Sequence, residues 1–199
     1  MSIKSMKIIN KLKLVFNNKS VLIFGLGNPG KEYYASRHSI GRRAVDYLAE
    51  KENLEFKNMP KLKVDLGKID ISGKKVFLAK SETFMNESGY ALRLIKDYYK
   101  IRSENIWIIQ DDVDIPFGKI KVSSERGAAG HHGVESVIRY LGANNFNRIR
   151  IGIWNRPFSE KNKNVTEKYV MDKFLAEEEN ELGKIIKKAA ELLLVAISR

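Results

Sequence analysis

The sequence predicts a single α/β domain whose twisted sheet, mostly parallel or mixed, is flanked by helices. Three observations predict it. Short continuous apolar runs alternate with stretches of helical periodicity. Three clusters rich in glycine, asparagine or aspartate each follow an apolar run, as loops at strand ends do. The 199 residues contain no repeat and no internal linker, and that length fits one compact domain.

The elements follow in order. Residues 21–26 are a continuous apolar run ended by glycines, the pattern of a strand covered on both faces. Ile40, Ala44, Val45 or Tyr47, and Leu48 recur at helical spacing. Residues 64–71 alternate in part between apolar and polar and read as a strand, and 75–79 read as another. Ser88 is placed to cap a helix carrying Leu92, Ile95 and Tyr99. Residues 105–110 read as a buried strand and 119–123 as a shorter one. A glycine-containing loop leads into a helix with Val134, Val137, Ile138 and Leu141. Residues 148–153 form the last strand, 155–168 a polar loop, and residues from about 176 to 197 a final helix. The expected organisation is a basic N-terminal extension over 1–20 and the α/β domain over 21–199.

Charge restricts the partners. The chain has 36 basic and 24 acidic residues, a net charge of +12. Lys4, Lys7, Lys11, Lys13 and Lys19 lie in the first twenty residues, and no acid precedes Glu32. The remainder still holds 31 basic against 24 acidic residues, so the excess is not confined to the extension. A polyanion such as nucleic acid is the partner this charge favours, through phosphate neutralisation. The absence of cysteine excludes disulfides, thiolate metal sites and a cysteine nucleophile. No apolar run approaches the roughly 20 residues that span a bilayer. The first twenty residues lack the apolar stretch and cleavage site of a secretory signal. A transit peptide, a disordered extension and a surface helix remain open for them, and the expected location is cytoplasmic.

The unusual residues gather at strand ends. Gly25-Leu26-Gly27-Asn28-Pro29-Gly30, Thr83-Phe84-Met85-Asn86 and Asp111-Asp112-Val113-Asp114 each follow an expected buried strand, so the three segments should converge on one crevice. Residues 25–30 satisfy GxGxxG, but helical periodicity resumes only near Ile40, later than in a dinucleotide-binding turn. His38 and Asp111 fall at the same rim, where a carboxylate on one imidazole nitrogen fixes the tautomer and leaves the other nitrogen as a general base. No GxSxG motif supplies a nucleophile, which leaves water. The acids at 111, 112 and 114 leave a magnesium site or a solvated turn as alternatives. His131 and His132, being adjacent, should point in different directions and make a poor zinc pair.

Taken together, Gly25 to Gly30 with Tyr33, Arg37-His38, Thr83 to Asn86 with Ser88-Gly89, Asp111-Asp112 with Asp114-Ile115-Pro116, Gly130 to Gly133, and Arg148 to Ile153 resemble the bacterial-type peptidyl-tRNA hydrolases over residues 21–199. The resemblance implies hydrolysis of the ester between a peptide and the 3′-terminal ribose of tRNA, without metal or other cofactor, by a monomer with no obligate protein partner. It implies that His38 accepts the proton, that Asp111 orients it, and that Asn28 helps distinguish N-blocked substrates. Tyr33, Phe84 and Asn86 match positions that contact tRNA or its peptide, with Met85 in the same wall. Asn86 is also suited to hold water or polarise the carbonyl. Lys121 and Arg150 match a basic clamp on the tRNA 5′-phosphate, among Lys119, Arg126 and Arg148. The chain departs from the family pattern at His132, where an asparagine is usual, and at Ser39. Two other functions stay open: a non-catalytic RNA-binding relative of the same fold, and a dinucleotide-dependent oxidoreductase.

Overall fold

The structure is a computed structural model that describes residues 20–198. The basic extension over 1–20 therefore lies, apart from Ser20, outside the described residues.

Residues Ser20–Gly25 form β1, followed by a four-residue helix α1 (Lys31–Tyr34), a 3₁₀ turn (Arg37–Ser39) and α2 (Ile40–Lys51). Then come β2 (Lys57–Met59), β3 (Val64–Ile71), β4 (Lys74–Ser81) and α3 (Ser88–Tyr99). The second half holds β5 (Ile106–Pro116), β6 (Ile120–Ser124), α4 (His132–Leu141), β7 (Asn147–Trp154), α5 (Lys163–Met171) and α6 (Ala176–Ser198). The seven strands make one mixed sheet in the order β2-β3-β4-β1-β5-β7-β6. β1 pairs in parallel with β4 and β5, and β5 with β7, while β2, β3 and β6 run antiparallel to their neighbours.

The continuous apolar run of β1 is explained by its central place. Val21 and Ile23 enter one core with residues of α2 and α6, while Leu22 and Phe24 enter the other with residues of α3 and α4. Covered on both faces, the strand is apolar from Val21 onward, with the polar Ser20 only at its less buried start. β3, nearer the edge, shows the expected alternation and exposes Lys68 and Asp70.

Close packing at one glycine brings the 3₁₀ turn to the sheet. A Cβ at Gly41 would lie 2.2 Å from the Ile109 carbonyl oxygen and 2.6 Å from that of Leu26, so only glycine lets the start of α2 rest on the backbone of β1 and β5. The turn just before α2 is thereby pressed against the end of β5. Gly25 serves the same contact, since its Cβ would lie 2.4 Å from the Gly41 carbonyl oxygen. The GxGxxG pattern thus begins with a glycine that packs helix on strand, and the helix directly after the pattern is only four residues long.

Several expected boundaries differ. β5 extends through Asp111 and Asp112 to Pro116, and its register with β7 breaks between Asp112 and Pro116. Acids are tolerated inside the strand because the side chains of both Asp111 and Asp112 are paired there. Ser88 is the first residue of α3, not its cap: the cap position belongs to Glu87, which makes no capping hydrogen bond. The stretch expected as a loop over 155–168 contains the start of α5, which is capped by the Asn162 side chain accepting from the Val165 N–H at 3.1 Å. No helix among the described residues is long and apolar enough to cross a membrane.

Candidate active site

All three histidines of the chain come together around one strand end. His38 sits in the 3₁₀ turn before α2 and is 7% exposed; Asp111 on β5 is 2% exposed. His38 Nδ1 lies 2.9 Å from Asp111 Oδ1 and 3.0 Å from Oδ2. A carboxylate only accepts, so Nδ1 carries the proton and the Nε2 lone pair is left as a base.

A second imidazole completes the arrangement. His131 is the N-cap of α4, and its Nδ1 accepts from the backbone N–H groups of Gly133 at 3.1 Å and Val134 at 3.4 Å. That bond fixes the tautomer: the proton resides on Nε2, which donates to Asp111 Oδ1 at 3.0 Å. The two rings stand 4.8 Å apart with planes inclined by 38°. Burial alone would raise the Asp111 carboxyl, but the two facing imidazoles and their hydrogen bonds outweigh it and hold the group well below the usual carboxylate range.

The same three side chains, with donor atoms within 4.8 Å of one another, are the group among the described residues that has metal-ligand spacing. Their protonation fits hydrogen bonding instead. A cation at His131 Nε2 would need the lone pair there, moving the proton to Nδ1, where it would confront the helix N–H groups. The acidic run supplies no alternative cation cage, because its members are separately paired. Asp112 Oδ2 accepts from Arg150 Nε at 2.7 Å, and Asp114 pairs with Lys161.

A cleft of about 720 Å³ opens beside the pair, lined by His38, Asp111, His131 and His132 and, across it, by Phe158, Thr166 and Val170 among others. The far residues belong to the loop after β7 and to α5, neither of which the sequence pattern assigns to the site. His132 is exposed at the rim, its Nδ1 3.1 Å from Glu135 Oε2, so the adjacent histidines do diverge.

The asparagine and aromatic candidates form an adjoining group that does not line this cleft. Asn28 is buried, and its Oδ1 accepts from the Met85 N–H at 2.8 Å, which leaves its amide N–H groups as donors. Met85 links the two groups. A Cβ at Gly133 would lie 2.4 Å from Met85 Sδ and 3.2 Å from His131 Cε1, so the thioether packs at the start of α4. Beyond it Tyr33 and Phe84 meet edge to face at 6.1 Å, with Phe84 57% exposed. Asn86 is exposed on the turn after Phe84, its carbonyl accepting from Arg139 Nη2 at 3.0 Å.

The basic candidates occupy the β6–β7 edge. Lys121 stands opposite Arg150 in the strand register and is exposed. Arg148, two residues away, is buried; that burial, together with the charge of Arg150, lowers its guanidinium from the ordinary value while Asp112 opposes the shift. Arg126 adds its charge to the same strip.

The sequence pattern does not single out His131 as a site member. Its signals are its place in the Gly130 to Gly133 motif and its position before an apolar periodic helix, where an N-cap belongs, but imidazole is not among the usual capping side chains.

A mixed α/β sheet carrying a buried imidazole–carboxylate pair, in a chain with no cysteine, gives the class as an α/β protein, and its relatives make it a hydrolase. The peptidyl-tRNA hydrolase family model matches residues 22–199. The chain is 45% identical over 169 residues to the peptidyl-tRNA hydrolase of Bacillus cytotoxicus, covering 85% of this chain and 88% of that one. It is 40% identical over 179 residues to that of Bacillus subtilis, covering 90% and 93%. The crystal structure of peptidyl-tRNA hydrolase from Acinetobacter baumannii superposes with a TM-score of 0.78 at 31% identity, covering 91% of this chain and 93% of the other. The chain belongs to the peptidyl-tRNA hydrolase family.

Proposed function

We propose that this protein hydrolyses the ester between a peptide and the 3′-terminal ribose of tRNA, with His38 and Asp111 activating water. The observation that carries the reading is His38 Nδ1 lying against both Asp111 oxygens at 2.9 and 3.0 Å, which leaves Nε2 as the base. Nε2 takes a proton from water as the hydroxide oxygen attacks the ester carbonyl. The tetrahedral intermediate then expels the ribose 3′-oxygen, to which Nε2–H returns the proton, leaving tRNA and a peptide carboxylic acid that ionises by releasing its proton to solvent. Asp111 stays ionised throughout and stabilises the transient imidazolium. A positioned base of this kind contributes about 10² to 10⁴ in rate, which suits an activated ester.

Asn28, anchored through its carbonyl, offers amide N–H groups to the acylated end of the substrate, and Asn86 offers an amide to the carbonyl or the water. Tyr33 and Phe84 present an aromatic pair beside them for the acceptor end or its peptide. His132 at the cleft rim donates or accepts where the family places an amide. Lys121 and Arg150 face the tRNA phosphates, the strip of positive charge supporting that assignment.

The test is single-turnover cleavage of N-acetyl-aminoacyl-tRNA with EDTA present. The wild type is expected to release tRNA, and His38→Ala to lose cleavage by about 10² or more while retaining tRNA affinity. A wild-type protein that binds tRNA without cleaving it would establish the non-catalytic relative instead. Equal loss of binding and turnover in His38→Ala would remove His38 from the role of base.

A further inference from the structure

The residue before the base is held by a buried polar network that reaches into the last helix, in which Arg37 Nε alone of the guanidinium nitrogens has no hydrogen-bond partner among the described residues. Arg37 is 3% exposed and Glu178 5% exposed, and the Arg37 Nη2 donates to Glu178 Oε2 at 2.7 Å. The Arg37 Nη1 donates to the Lys173 carbonyl at 2.7 Å. The guanidinium also lies 4.1 Å from the centre of the Tyr169 ring and 5.4 Å from that of Phe174, within cation–π range of both. Glu178 is equally engaged. Its Oε2 accepts from the Leu175 N–H at 2.7 Å, closing the first turn of α6 as the acidic half of a capping box does, and its Oε1 accepts from Asn155 Nδ2. Tyr169 extends the network by donating to the Ile153 carbonyl at 2.7 Å. On the backbone, the Arg37 N–H donates to the Asp172 carbonyl at 3.0 Å, and Ser36 forms a bridge with Lys173.

This network joins three segments far apart in sequence: the His38 turn, the end of β7 and the α5–α6 junction. It also joins both sides of the cleft, because α5 carries Thr166 and Val170 on the far wall and Tyr169 under the guanidinium. Ion pairs buried to this degree are poor stabilising devices, since desolvation offsets most of their attraction and apolar replacements of equal volume often serve as well. What the pair supplies is direction. A planar guanidinium that bonds a carboxylate and a carbonyl while stacked on a ring has a fixed orientation, and with the Arg37 N–H bonded to the Asp172 carbonyl it restricts where the turn can sit.

We propose that Arg37 and Glu178 are positioning residues: together they hold the turn that keeps His38 Nδ1 centred on the Asp111 carboxylate, and neither touches the substrate. The proposal rests on His38 acting as the base, and the experiment separates the two. Arg37→Lys and Glu178→Gln are compared with the wild type in single-turnover and steady-state cleavage of N-acetyl-aminoacyl-tRNA, and in ¹H NMR of the His38 Nδ1 proton that Asp111 binds. Lysine keeps the charge but cannot bond both acceptors and stack. Glutamine keeps the shape but loses the charge.

Each variant is expected to lower kcat at least tenfold with KM within twofold, the double variant falling no further than the worse single one. Each should also shift or broaden the imidazole proton resonance. A kcat and a resonance both unchanged, with only the melting temperature reduced, would overturn the proposal and leave the pair as a structural tie. If wild-type protein failed to cleave the ester, the function proposed above would fall. The resonance would still decide between a positioning pair and a tie.

Discussion

Replacing Asp111 by asparagine is the most exacting perturbation of the site, because the helix cap dictates how the new amide must sit. His131 Nδ1 is committed to the α4 backbone, so its Nε2–H needs an acceptor where Asp111 Oδ1 now stands, 3.0 Å away. The carbonyl oxygen of the introduced amide must take that place. Its NH₂ then replaces Oδ2, 3.0 Å from His38 Nδ1, and donates to it. His38 Nδ1 becomes an acceptor, the proton moves to Nε2, and the base is occupied without any displacement of heavy atoms. The loss expected is the whole contribution of a positioned base, about 10² to 10⁴ in kcat. That corresponds to roughly 3 to 5.5 kcal/mol at about 1.36 kcal/mol per decade. Single-turnover cleavage of N-acetyl-aminoacyl-tRNA measures it, with the thermal melt checking that the variant is folded. A folded Asp111→Asn protein keeping more than about a third of wild-type kcat would refute the tautomer argument, and with it the role of His38 Nε2.

Three further outcomes are expected. His131→Ala removes the α4 cap and one of the two imidazole donors on Asp111, and should cost about 0.5 to 2 kcal/mol in urea denaturation from the cap alone. Because Asp111 is depressed in the folded protein, its contribution to stability is fully present above its ordinary value of 3.8 and is lost as the pH falls further toward the folded value. The wild-type melting temperature should therefore drop below about pH 4 more steeply than that of Asp111→Asn. Lys121→Ala should weaken tRNA binding with little dependence on sequence and reduce the slope of log K against log salt by about 1, measured by filter binding from low to moderate salt.

The central architecture is legible in the sequence because burial dictates it. From Val21 on, β1 has to be apolar when α2 and α6 cover one face of the sheet and α3 and α4 the other, and its residues show that without ambiguity. Strand order brings residues 25–30 and 83–86 near the β5 strand that carries Asp111, but as a group adjoining the cleft of His38 and Asp111 rather than lining it. The full length of β5 is not legible: two consecutive aspartates read as a turn unless their partners are known, and those partners, His38, His131 and Arg150, come from other elements. α5 escapes detection because Tyr169 is its one buried residue, so it has almost no apolar stripe to betray its period. His38 and Asp111 stand out in the sequence because one lies just before a periodic helix and the other just after a continuous apolar run. Arg37 and Glu178 do not, since nothing local to either residue announces a partner 141 positions away.

That separation has a consequence for the order in which a newly made chain acquires competence. The histidine emerges early in synthesis, with its turn and the helix behind it, but the acid that clasps its neighbour arrives with the final helix. Until that last segment has docked, the nascent polypeptide carries His38 and its turn without the Arg37–Glu178 contact.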